Sequence, residues 1–135
     1  MDNYIAQSVK DLGSGISMNS VVGDYRIYKY GADISETISC NVKDRDIIFS
    51  GKATDDDDKT QALFDMLSST RFTLTSKEPM IFEGNVLDKK ESKAEPRRIK
   101  TRLTFDGEKR LTISSWDDDS GKWKKWTGNL YFEKY

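Results

Sequence analysis

The chain's clearest chemistry lies near its C-terminus, in two tryptophans, a lysine and a tyrosine, and it is the chemistry of recognition rather than of bond-making. Residues 102–135 read RLTFDGEKRLTISSWDDDSGKWKKWTGNLYFEKY. A four-residue loop, Asp118-Asp119-Ser120-Gly121, with Gly121 at positive φ, would fold this stretch into a hairpin. That register sets Trp116 opposite Trp123, Ile113 opposite Trp126 and Leu111 opposite Gly128. Side chains alternate between faces along a strand. Leu111, Ile113, Trp126, Leu130 and Phe132 therefore share a core face. Thr112, Ser114, Trp116, Trp123, Lys125, Thr127 and Tyr131 share the other.

Clustered indoles, a phenol and an ammonium are what interface anchors are made of. Trp116, Trp123, Lys125 and Tyr131 are accordingly the candidate partner-binding residues, with a protein as the expected partner. The same face suits single-stranded nucleic acid, bases stacking on Trp116, Trp123 and Tyr131 while Lys125 meets the backbone. A net charge of −1 disfavours that alternative. A helix lying over the face would instead make the indoles core.

Bond-making chemistry is restricted by composition. The chain has no histidine and one cysteine, Cys40. This removes Ser-His-Asp and Cys-His nucleophile activation, imidazole-based zinc or iron sites, and multi-cysteine metal sites within one chain. Carboxylates, Lys, Tyr and Arg remain, but no carboxylate pair is singled out by spacing. No catalytic residue, metal ligand or cofactor-binding residue is nominated, and no cofactor is expected. A small-ligand carrier, or a histidine-independent enzyme with its site inside a barrel, is the third functional alternative.

Two charged segments have structural readings. The run Thr54-Asp55-Asp56-Asp57-Asp58-Lys59 precedes an apolar-faced helix expected at about 58–69, where carboxylates cap orphan N–H groups and oppose the positive helix end. A calcium loop lacks the EF-hand spacing and terminal Glu here, and an acidic patch for a basic partner is the other alternative. Residues 88–98, DKKESKAEPRR, read as an exposed loop between two long strands. The lysines and arginines there could meet phosphates, but Asp88, Glu91 and Glu95 dilute the positive field.

The elements that must position the aromatic face are mostly strands. Residues 2–12 place Tyr4, Ile5, Val9 and Leu12 on one side of a short helix, stopped by Gly13-Ser14-Gly15. Alternating patterns follow over 24–30, 36–42, 47–53, 71–75, 80–87 and 99–105. The second of these puts Ile38, Cys40 and Val42 inward, with Cys40 as a small hydrophobe. For the turn before the hairpin, a three-residue loop, Asp106-Gly107-Glu108, sets Leu103 opposite Leu111 and Thr101 opposite Ile113, with a bulge at Gly107 as one way to build it. The expectation is one β-rich α+β domain over 1–135, with about eight mostly antiparallel strands as a curved meander or small barrel. The mid-chain helix would lie across one face or mouth. A one-sided sheet packed on the two helices is the alternative.

Length and composition agree with a folded chain. Its 135 residues suffice for a core without staples, and although 33% are charged, three Trp, six Tyr and six Phe argue against disorder. No apolar run approaches the roughly 20 residues of a membrane span, and the N-terminus lacks signal-peptide regions. With a single cysteine, the expected location is cytoplasmic and no membrane partner is expected.

Overall fold

A computed structural model of the protein describes residues 17–88, 97–126 and 128–135. The helix expected at 2–12 lies outside them. After a 3-10 turn, Met18–Val21, come β1 (Gly23–Lys29), β2 (Ala32–Lys43) and β3 (Asp46–Ser50). The helix α1 (Asp58–Ser68) follows, then β4 (Arg71–Lys77), β5 (Met80–Asp88), β6 (Arg97–Phe105), β7 (Arg110–Asp117), β8 (Lys122–Lys125) and β9 (Tyr131–Lys134). All pairings are antiparallel, and each of β1 to β6 pairs with the next in the chain. β6 then pairs with β7, β7 with β9, and β9 with β1. The result is a closed eight-stranded barrel. β8 stands outside that cycle and pairs with β7.

Period-two alternation explains the closure. One residue in two points inward: Tyr25 and Ile27 on β1, Ile38 and Cys40 on β2, Phe72 and Leu74 on β4, Leu111 and Ile113 on β7. Tyr25, Phe49, Phe72, Phe82 and Phe132 are all fully buried, so side chains fill the interior as expected for an eight-stranded barrel. Each such burial contributes about 1.5–3 kcal/mol. The 3-10 turn adds Val21 to this core, and the buried Tyr25 hydroxyl donates to the Val21 carbonyl at 2.5 Å.

The acidic run before α1 caps the helix. Asp57 is the N-cap, its carboxylate accepting from the Lys59 N–H, while Asp55 accepts from the Asp57 N–H. At the other end the hydroxyls of Ser68, Ser69 and Thr70 donate to the carbonyls of Phe64, Asp65 and Met66, and that of Thr70 serves the Met66 carbonyl in the final turn. Leu63, Phe64 and Leu67 form the buried face. The helix joins the end of β3 to the start of β4 and packs against β3 and β5. Beyond the helix, the start of β4 runs close against β5 and requires glycine there: a Cβ on Gly84 would sit 2.6 Å from the Arg71 carbonyl oxygen. Glu36, nearly fully buried on the inward parity of β2, accepts from the Thr54 N–H and hydroxyl and from the Asp55 N–H. It anchors the chain on its way into the helix.

Three local expectations need correction. Five residues, 106–110, separate the paired Phe105 and Leu111, so Leu103 faces Ile113 and Thr101 faces Ser115. The reason is Asp106, whose carboxylate accepts from the N–H groups of Glu108, Lys109 and Arg110 and organises the longer turn. The shift is two residues, which leaves every side chain on its expected face. Second, Leu111 faces Phe132, not Gly128. Gly128 and Asn129 both have positive φ, and the Asn129 N–H donates to the Trp126 carbonyl, so the hairpin ends in a turn before β9 begins. Third, residues 51–53 are not strand, and β5 and β6 reach into the charged segment as far as Asp88 and Arg97.

Candidate protein-interaction surface

The β7–β8 hairpin is held by its own turn. Gly121 has φ 67° and donates to the Asp117 carbonyl at 2.8 Å. The Asp117 carboxylate accepts from the Ser120 hydroxyl and pairs with the Lys124 ammonium, each at 2.8 Å. These bonds, the Lys124 one foremost, lower the Asp117 pKa from 3.8 to about 2. Trp116 faces Trp123 as expected. The Trp126 N–H donates to the Ile113 carbonyl at 3.5 Å. Alternation from there makes Trp116–Trp123 a non-hydrogen-bonded pair, the kind whose side chains approach most closely. The indoles meet edge to face, 5.4 Å between ring centroids and 72° between planes. Both are half-buried.

Register brings two cations from β6 to this pair. Lys100 Nζ lies 6.0 Å from the Trp116 ring and 5.6 Å from Trp123, and the Arg102 guanidinium lies 4.1 Å over Trp123. Arg102 also gives two hydrogen bonds to one Glu83 oxygen, at 3.0 and 2.8 Å. Lys125 is exposed opposite Ser114, on the face of Trp123. Among the described residues Lys100 and Lys125 have no carboxylate partner. Sequence reasoning missed Lys100 and Arg102. Their signal was available in the alternation of β6, where Ile99, Thr101 and Leu103 share the opposite parity.

Tyr131 sits elsewhere. It faces Thr112 and Tyr28, four residues along β7 from Trp116, a distance of about 13 Å at the usual rise per residue. Its ring stacks on Tyr28 from the β1 side, 5.1 Å between centroids with parallel planes. Arg110 lies 4.3 Å over it from the β7 side while hydrogen-bonding Glu133. The structure therefore groups Trp116, Trp123 and Lys125, adds Lys100 and Arg102, and sets Tyr131 in a second cluster.

The remaining reactive groups have structural duties. Cys40 is buried in the core, and burial pushes its thiol up to about 12, against the opposing charge of Lys134. Burial works to raise the Asp106 carboxyl as well. The N–H groups of Arg110, Glu108 and Lys109 and the charge of Arg110 outweigh it and hold the pKa below its ordinary value. Trp126 packs against the core, and its indole N–H finds no acceptor among the described residues. Among the described residues no three His, Cys, Asp or Glu side chains gather to hold a metal, and no helix is long and apolar enough to cross a membrane. Open surface hollows among the described residues include one beside Arg26, Asp33 and Tyr135 and one beside Pro79 and Phe105. Compared with family models, curated proteins and solved structures, the chain matches none. The fold and site together describe a small closed β-barrel bearing a lateral aromatic–basic hairpin.

Proposed function

We propose that this protein is a binding module that recognises a protein partner through the outer face of its β7–β8 hairpin, with Trp116 and Trp123 as anchors. Lys100, Arg102 and Lys125 form the basic margin. The observation that carries this reading is positional. The barrel closes through β7, β9 and β1 without β8, so barrel closure gives no reason for an indole on β8 stacked against one on β7. Half-buried aromatics edged by cations are the residue types that dominate interface energetics.

Single-stranded nucleic acid is the second reading, favoured by the cations at the two indoles. Two features weigh against it: Arg102 already covers Trp123 and is paired with Glu83, and Tyr131 lies between Tyr28 and Arg110. The interior of the barrel, filled by large apolar side chains, gives a ligand or active site there little support.

The test is selection from a displayed random-peptide library by the wild-type protein and by Trp116→Ser/Trp123→Ser. Wild type should enrich peptides that bind the double variant at least thirtyfold more weakly, since one truncated anchor costs about 2 kcal/mol or more. Equal binding to both proteins would refute the surface. Tight, salt-sensitive binding of an oligothymidylate would shift the reading to nucleic acid.

A further inference from the structure

β8 is the one described strand left outside the closed cycle, with a partner on one side only. The register fixes which of its backbone groups are committed. Because Trp126 bonds Ile113, alternation points the N–H and C=O of Lys122 and Lys124 at β7. Those of Trp123 and Lys125 point away, towards the open edge. The strand's sequence is Lys-Trp-Lys-Lys. Lys124 is paired with Asp117, whereas Lys122 and Lys125 have no carboxylate partner among the described residues.

Lysines on an edge repel a second copy of the same strand and so deter self-pairing. The same charges select an acidic strand. Resting on the protein-recognition reading above, we infer that the partner is an extended acidic segment that adds to the β8 edge. Its backbone bonds the outward groups of Trp123 and Lys125. Two of its carboxylates, three residues apart and therefore on opposite faces, meet Lys125 and Lys122, while an intervening side chain lies against Trp123. Strand addition of this kind draws affinity from main-chain bonds and specificity from alternate side chains.

The probe is a capped nonapeptide, Thr-Glu-Thr-Thr-Glu-Thr-Thr-Glu-Thr, whose glutamates, three residues apart, fall on alternate faces, titrated into the ¹⁵N-labelled protein. The amides of Trp123 and Lys125 should shift downfield and gain exchange protection, while those of Lys122 and Lys124 hold their positions. N-methylating the peptide along one edge should weaken binding about tenfold or more. The double substitution Lys122→Glu/Lys125→Glu should transfer preference to the threonine–lysine peptide. Failure of the acidic peptide to saturate, or equal binding by its N-methylated form, overturns strand addition. In either case, peptides selected by display and lost in Trp116→Ser/Trp123→Ser would leave the protein-recognition reading standing, and their absence would remove both. An oligothymidylate that shifts Trp116 and Lys100 without protecting the Trp123 and Lys125 amides would replace the peptide with nucleic acid.

Discussion

The outer face of β7 carries two clusters made from the same kinds of residue. Near the start of the strand, Tyr131, Tyr28, Arg110 and Glu133 come together. Near its end, Trp123, Trp116, Arg102, Lys100 and Glu83 do the same. In the first, each aromatic stands on a strand that closes the barrel, with a neighbouring strand on both sides. In the second, Trp123 stands on a strand that closes nothing. Aromatic–cation composition thus does not by itself distinguish a wall brace from the docking surface we propose, and strand connectivity is the ground for that proposal.

The largest expected difference between wall and hairpin lies beneath the first cluster. Phe132 neighbours Tyr131 on β9 and is fully buried. Phe132→Ala should cost about 3–5 kcal/mol in urea denaturation through lost transfer energy and the cavity left behind. A cost near 1 kcal/mol would mean that β9 is a loosely attached edge and that the barrel opens there.

The wall and the hairpin also differ in the pH that strains them. In the wall, the unfolded Cys40 thiol ionises near 9.0 and the folded one only near 12. Its contribution is therefore complete below about pH 9 and is lost as pH rises towards 12, amounting to roughly 2–4 kcal/mol. The Tyr25 phenol, raised by its burial first and by Cys40 and Asp106 after that, acts in the same direction. Cys40→Ala should flatten part of this alkaline loss, measured as the pH dependence of the urea midpoint. A native thiol that reacts rapidly with a disulfide reagent at pH 8 would contradict its burial.

Truncating the two clusters should cost similar, smaller amounts of stability. Trp116→Ser/Trp123→Ser should lose about 1–2 kcal/mol, a cross-strand aromatic pair plus ordinary surface changes. Tyr131→Ser should lose about 1–2 kcal/mol for the same reasons. The clusters should part in binding: the tryptophan variant loses selected peptides and the tyrosine variant keeps them. A loss of more than about 5 kcal/mol in the double tryptophan variant would make those indoles core.

The smallest effect belongs to the hairpin turn. The Asp117 carboxyl is lowered to about 2, first by the Lys124 hydrogen bond and then by that from Ser120. Its contribution is present above the ordinary value of 3.8 and disappears as pH falls through about 2. Lys124 is exposed and Asp117 partly so, and water screens the pair, so global stability should hardly register it. Side-chain carbon shifts of Asp117 should titrate near pH 2 in wild type and move up in Lys124→Ala. No change would mean that the ion pair does not form in solution.

The sequence by itself determined which residues face inward. Alternation put Ile38, Cys40, Leu111, Ile113, Leu130 and Phe132 on core faces, because a pleated strand has a period of two whatever its partner. It also determined the helix start, because a capping carboxylate acts within a few residues of chain, and the Trp116–Trp123 pairing, because a glycine-ended loop fixes its own register. The inward side chain of Glu36, by contrast, became legible only in the tertiary fold, which supplies the Thr54 and Asp55 groups that satisfy it. What alternation leaves open is anything that moves pairing by two residues or exchanges one partner strand for another. The Asp106 loop did the first, and the turn at Gly128 and Asn129 did the second, transferring the early half of β7 from β8 to β9. Closure of β9 against β1, the arrival of Lys100 and Arg102 beside the indoles and the separation of Tyr131 from them all depend on contacts between distant strands. Those contacts are decided by how the whole sheet curves and shuts, which no local pattern of side chains encodes.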